Sequence, residues 1–347
     1  MQLVRRYKIF YGLIDMTSEM LHEIPFRQSS SIVLESFICS ILLLLALVGN
    51  VLVIVVVFKN PRLSTTTSLF IAALATTDLI NVTIPGPLFL VALITGERSY
   101  TSIGCGISGF FMHFLTLASV LTMGLIAVNR YFCVLKPSRY KSIFTFRRSA
   151  FFLGALWMFI GVVIVFPLIV GWASMEFSPS MATCSLHFNS LTSETGFTMF
   201  VMIVFVFTSF VLVSLCYFFV WETLRQHRNH LASIRGLSVQ ELNLTKTFFV
   251  LVVSFIVLWL PTFVVIVLFR VVLGETIPRL LALAVPYELL ANSAVNPWIY
   301  GATNPSFRKK LMSILSRGRN RVQPIGGSVF SGLSNQNSPP TIIINNN

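Results

Sequence analysis

The sequence predicts an all-α membrane protein, a seven-transmembrane helix bundle with a C-terminal interfacial helix, and three observations carry that prediction. Of the 347 residues 55% are hydrophobic and only 11% charged, with a mean hydropathy of +0.82, a composition that leaves too few polar side chains to cover a soluble domain. A spanning helix needs about 20 mostly apolar residues, and stretches of that kind follow one another, centred near Leu44, Leu79, Leu121, Phe159, Phe207, Phe255 and Leu290. The links between them are short and differ in charge from one side to the other.

Taken in order, residues 1–32 form an outer tail and residues 33–301 the spanning domain. The first span, 33–58, stops before Asn60-Pro61. The second, 68–93, contains Pro85-Gly86-Pro87 and the third, 104–135, stops at Lys136-Pro137, because proline lacks the N–H that would continue the helix. The fourth, 149–172, and the fifth, 196–222, are long apolar runs, and the sixth, 243–270, carries Pro261 within it. Gly274 to Pro278 separates it from the seventh, 280–301. In 302–316, Phe307, Leu311, Ile314 and Leu315 recur at helical spacing opposite Arg308, Lys309 and Lys310, the pattern of a helix lying in the interface. The tail, 317–347, is rich in Ser, Asn, Gly and Pro and is expected to be disordered.

The formal charge of +13 suits either a nucleic-acid surface or a chain that keeps Lys and Arg on the cytoplasmic side of a membrane. Distribution decides. With the N-terminus outside, 18 of the 25 Lys and Arg fall on the inner side, among them Lys59, Arg62, Arg139, Lys141, Arg147, Arg148, Arg225, Lys246 and Arg308 to Lys310. Acidic residues such as Glu19, Glu35, Glu97, Glu194 and Glu288 lie on the outer side or outer half. The expectation is a multi-pass plasma-membrane protein with an extracellular N-terminus, in contact with lipid and not with nucleic acid. No internal repeat supports the competing reading of an inverted-repeat transporter. No second carboxylate, histidine dyad or metal trio matches the depth of Asp78 to make an intramembrane hydrolase, so no enzymatic site is expected.

Asp78 is the one carboxylate at mid-depth, where an isolated charge costs about 2.5–3.5 kcal/mol on insertion scales. It demands polar company. Asn292 and Asn296 share a face four residues apart, Ser293 lies beside them, and Ser119 sits at matching depth. Oxygen donors around one carboxylate suit a small hard cation; the alternative is a polar network that holds water alone.

Each span also carries a marker: Gly49-Asn50-Val51, Leu74-Ala75-Thr76-Thr77-Asp78, Asn129-Arg130-Tyr131, Trp157, Tyr217, Phe255 with Trp259-Leu260-Pro261, and Asn296-Pro297-Trp298-Ile299-Tyr300. Singly they are weak, but in register on successive spans they resemble the rhodopsin-like G-protein-coupled receptors over about 33–315. The resemblance implies a receptor that binds an extracellular small molecule and activates a heterotrimeric G protein. It implies a disulfide between Cys105 and Cys184, and a sodium ion as allosteric modulator at Asp78, Ser119, Asn292, Ser293 and Asn296. It further implies switch and coupling roles for Asn129, Arg130, Tyr131, Tyr217, Pro261, Pro297 and Tyr300. Glu241, at the inner start of the sixth span, is the candidate partner of Arg130 in the resting state. Asn129 replaces the family's usual acid, so an ionic neighbour of Arg130 is missing. Ser209 stands where most members carry a span-five proline, which puts the bulge there and its packing against Phe255 in question.

By position the ligand site is lined by Met112, His113, Thr116, Met202, Trp259, Thr262, Phe263, Ile266 and Leu290, an apolar set with few polar anchors. Leu290 occupies the place of the retinal-bearing lysine of opsins and Met112 that of the aspartate of amine receptors, so no covalent cofactor and no ammonium ligand are expected. His113 reads either as a neutral core histidine or as a ligand contact, and Glu288 either as a ligand contact or as the partner of Arg270 or Arg279. Within the family the sequence looks most like the melatonin receptors, through Pro85-Gly86-Pro87, Ile107-Ser108-Gly109-Phe110 and Asn129-Arg130-Tyr131. It departs from them at Pro167 and Phe188, where they use an asparagine and a glutamine. The expected ligand is small and lipophilic, with an indole such as melatonin as the alternative.

Overall fold

The computed structural model describes residues 28–59, 66–96, 101–226, 239–274 and 276–320. The expected outer tail before residue 28 and the inner tail after 320 lie outside them, as does the side chain of Glu241.

The first span is Ser29–Phe58, and the small and polar residues Ala46, Gly49 and Asn50 are among those it turns to the bundle. The second is two helices, Thr66–Thr83 and Pro85–Thr95, broken at Ile84 because Pro85 has no N–H to bond to the preceding turn. The third, Ser102–Leu135, begins at Thr101, whose side chain caps Gly104 N at 3.2 Å, an N-cap that satisfies one of the free donors of a helix start. A short helix, Pro137–Ile143, precedes the fourth span, Phe146–Ile169. The fifth runs Leu191–Val201, a π-helical turn Met202–Phe207, and Thr208–Gln226. The sixth is Val239–Ile266 and a second π-helical segment, Val267–Leu273. The seventh is Arg279–Thr303, and Pro305–Asn320 follows it.

Six of the spans are long and apolar enough to cross a membrane by composition. The seventh has the length but is diluted by Glu288, Asn292, Ser293 and Asn296, groups that need a polar interior. Two elements lie outside the sequence expectation: the short inner helix, and an antiparallel hairpin of β1 (Ala173–Ser178) and β2 (Thr183–Phe188) between spans four and five. The last helix is longer than expected, reaching Asn320 instead of 316, and Phe307 anchors it against Tyr300 with ring centroids 5.8 Å apart.

The bulge in span five is present although Ser209 replaces the proline. Thr208 Oγ1 donates to the carbonyl of Ile203 at 2.8 Å, five residues back, so a side chain occupies an acceptor in the widened turn. Phe210 makes the contact with Phe255, at 6.4 Å between centroids. Lipid tails are as apolar as the side chains they surround, so close van der Waals approach holds spanning helices together. Gly49 shows it: a Cβ there would lie 2.7 Å from Pro297 Cγ, so glycine is what lets spans one and seven touch.

Candidate functional site

An outer cavity of 190 Å³ opens between spans three, five, six and seven beneath the hairpin. Its floor is Trp259, stacked on Phe263 with centroids 5.6 Å apart, and Met112, His113, Thr116, Met202 and Ile266 complete the sequence-derived part of its lining. The hairpin supplies a roof that spacing did not foretell. Cys105 and Cys184 are bonded, with Cα atoms 5.4 Å apart, and the residues just after Cys184 (Ser185, Leu186 and Phe188) line the cavity. His113 is tied to that roof: its Nε2 accepts from Leu186 N and lies 3.3 Å from Ser185 Oγ. A nitrogen that accepts a backbone N–H carries no proton of its own, so any hydrogen sits on Nδ1. A loop cysteine tethered to the top of span three is the signal from which the roof could have been read.

Two expected lining residues are elsewhere. Leu290 is 1% exposed and belongs to the core between spans one, two and seven with Phe89 and Leu93, in the space left by Gly86, whose Cβ would stand 3.4 Å from Leu290 Cδ2. Thr262 turns from the cavity to donate to Glu288 Oε1. Glu288 therefore pairs with neither arginine. Arg270 bonds Glu194 at 2.7 Å and joins spans five and six at the cavity mouth. Arg279 bonds Glu35 at 3.1 Å, where Tyr287 also donates to the Glu35 carbonyl, fastening span seven to span one.

At mid-depth, Asn296 Nδ2 donates to Asp78 Oδ2 at 3.0 Å. Asn81 Nδ2 donates to Ser293 Oγ at 3.1 Å, and Asn50 Nδ2 to the Ser293 carbonyl at 2.9 Å. Asn50 Oδ1 is buried without a partner. Asp78, Ser119, Asn292, Ser293 and Asn296 are all 3% exposed or less. Among the described residues neither Ser119 nor Asn292 hydrogen-bonds Asp78, so the two expected donors are buried near that level without direct contact.

At the inner end of span three, Arg130 is fully buried. Nε and Nη2 donate to Asn129 Oδ1 at 3.1 and 2.6 Å, Nη2 donates to Thr67 Oγ1 at 2.7 Å, and the guanidinium lies 5.5 Å from the Phe248 ring centre. The neighbour is therefore not lost as a partner: an amide oxygen replaces a carboxylate and keeps the geometry without the charge. Thr67 and Phe248 carried no signal in the sequence. Tyr131 packs on Phe132 and Phe219. Tyr217 and Tyr300 are buried, and neither hydroxyl has a partner. Such orphaned groups cost of the order of 1–3 kcal/mol each, a reason for them to find partners in another arrangement of the helices.

Residues 49–300 match the family model described as 7 transmembrane receptor (rhodopsin family). The melatonin receptor type 1C of Xenopus laevis is 30% identical over 310 residues, covering 86% of this chain and 71% of that protein. The melatonin receptor type 1B-B of Danio rerio is 28% identical over 307 residues, 86% of each. Among solved structures squid rhodopsin superposes with a TM-score of 0.70 at 22% identity, over 86% of this chain and 89% of that one.

Proposed function

The chain belongs to the rhodopsin family of seven-transmembrane receptors, which signal through G proteins, and from that premise we propose that it binds a compact, uncharged, lipophilic ligand in the outer cavity and activates a heterotrimeric G protein at its inner face. The cavity carries the ligand reading. Its 190 Å³ falls below the roughly 300–1,000 Å³ of pockets for drug-sized molecules. Its floor is aromatic, and its two charged groups, Arg270 and Glu194, neutralise each other. A flat molecule with one hydrogen-bonding group opposite His113 and Ser185 fits these limits.

An indole is the second reading, favoured by the melatonin receptors among the relatives. An extracellular N-terminus is part of this reading, supported by the basic bias of the links on the opposite side.

Ligand and G protein are coupled through the helices between them. A ligand that prefers one arrangement of Trp259 shifts the population of span six about Pro261. Moving a 1:99 equilibrium to 99:1 requires about 5.5 kcal/mol of differential affinity. Arg130, Tyr217 and Tyr300 are the inner groups whose partners would change.

The polar cluster fits a sodium ion by donor chemistry: one carboxylate, hydroxyl and amide oxygens, and the unpartnered Asn50 Oδ1. Asp78 and Ser293 would hold it, with Ser119, Asn292 and Asn296 completing the shell. The ion supplies a charge that neutralises Asp78. Asn296 and Asn81 already orient the surrounding oxygens.

Screening neutral lipophilic and indole ligands against G-protein dissociation reporters tests this reading. A response that His113→Ala weakens at least tenfold is expected. Activation confined to cationic amines, or a response indifferent to His113, would overturn it.

A further inference from the structure

Toward the inner leaflet a second cavity of 810 Å³ lies between spans five and six, with Thr303 at the end of span seven completing its lining. Val220, Trp221 and Leu224 on one side and Phe249 and Val250 on the other make its walls apolar. Trp221, Phe249 and Val250 are 63, 43 and 38% exposed, and in a bundle surrounded by lipid such exposure is contact with acyl chains. No residue of span three lines the cavity, and Tyr217 is the lining residue it shares with the inner switch region.

Two cations stand at the rim, Arg225 near the end of span five and Lys246 near the start of span six. Both are exposed, and among the described residues neither forms an ion pair. Glu222, one turn before Arg225, is not part of the lining. A second observation points to a ligand: Tyr217, 6% exposed, lines the cavity and its buried hydroxyl has no partner.

We infer that this cavity seats an anionic glycerophospholipid of the inner leaflet, an acyl chain lying between Trp221 and Phe249 and the phosphodiester between Arg225 and Lys246. Apolar walls alone accept any chain; the paired cations select the headgroup. The cytoplasmic leaflet is the anionic one, and each cation near its surface is worth about fivefold in binding. The long stems of Arg and Lys let the charges reach the headgroup level while their methylenes stay on the apolar wall.

Native mass spectrometry of the full chain released from nanodiscs of equal phosphatidylglycerol and phosphatidylcholine provides the test. Phosphatidylglycerol should be retained over phosphatidylcholine, and Arg225→Gln with Lys246→Gln should reduce that preference about 25-fold. Arg308→Gln with Lys309→Gln, an equal loss of charge elsewhere on the inner face, should leave it intact. Val250→Trp, which fills the cavity and keeps both cations, should abolish retention. Equal retention of both lipids, equal loss in the two double variants, or full retention in Val250→Trp would overturn the inference. So would a peptide from the carboxyl-terminal end of a Gα protein whose binding needs Arg225 and Lys246 while phosphatidylglycerol retention does not, since the cavity would then be a protein site.

Discussion

Asn129 holds Arg130 through one oxygen: Oδ1 accepts both Nε at 3.1 Å and Nη2 at 2.6 Å, while the Asn129 amide nitrogen is buried without a partner. The clamp has the shape of an acid–arginine pair with one charge removed. Hydrogen bonds with both partners ionised are stronger than those with a neutral acceptor. Asn129→Asp is therefore expected to lower ligand-independent signalling, and Thr67→Val, which deletes the 2.7 Å acceptor on span two, to raise it. Basal G-protein dissociation at matched surface expression measures both. Unchanged basal signalling in the two variants would place the restraint in the packing around Phe248 instead. Arg130→Ala should abolish activation and also lower stability, because the side chain is fully buried.

Sodium should raise the melting temperature of the purified receptor, and a bulky organic cation should not. Asp78→Asn should erase the difference, since it keeps the shape and removes the only carboxylate in the cluster. For a chain of 347 residues, each 1 kcal/mol of ion binding corresponds to a rise of about 1–2 °C. An equal sodium response in the variant would assign the ion to another site.

Thr262 donates to Glu288 in this structure and does not line the outer cavity. Thr262→Val should leave ligand potency within about threefold while costing roughly 1–3 kcal/mol in thermal stability, because it strands Glu288 Oε1 beside an already unpartnered Oε2. A large loss of potency at unchanged stability would return Thr262 to the ligand site.

The Arg270–Glu194 pair closes the cavity mouth but is 35 and 23% exposed, so solvent screens much of its attraction. A double-mutant cycle to Ala should give a coupling of about 0.2–1 kcal/mol. Its larger effect should be on ligand residence time, read as a faster dissociation rate in either single variant. A coupling of several kcal/mol with unaltered dissociation would show the pair to be structural.

Gly49→Ala inserts a methyl group 2.7 Å from Pro297, inside van der Waals contact. Overpacking of this kind costs about 1–3 kcal/mol, so thermal denaturation should shift down while Gly154→Ala, where a Cβ meets nothing within 4 Å, should not shift. Similar melting curves for the two variants would mean that spans one and seven separate easily.

The sequence by itself determined the number and order of the spans, the markers on each and the charge bias of the links, because hydropathy and the cost of buried charge act locally along the chain. Part of the cavity lining was legible too, since Met112, His113, Trp259 and Phe263 lie on regular helix between recognisable landmarks. Tertiary structure decided the directions of the rest. A membrane helix is apolar toward lipid and toward its neighbours, so periodicity says little about which face turns inward. Each helical residue turns the chain by about 100°, and one extra residue in a π-helical turn such as Met202–Phe207 rotates what lies beyond it. Leu290 and Thr262 are cases of the first kind: spacing did not say which side of spans seven and six packs against a neighbour. The same holds for Thr67 at Arg130, Glu194 at Arg270 and Glu35 at Arg279: each pair comes from different spans and forms only when those helices pack.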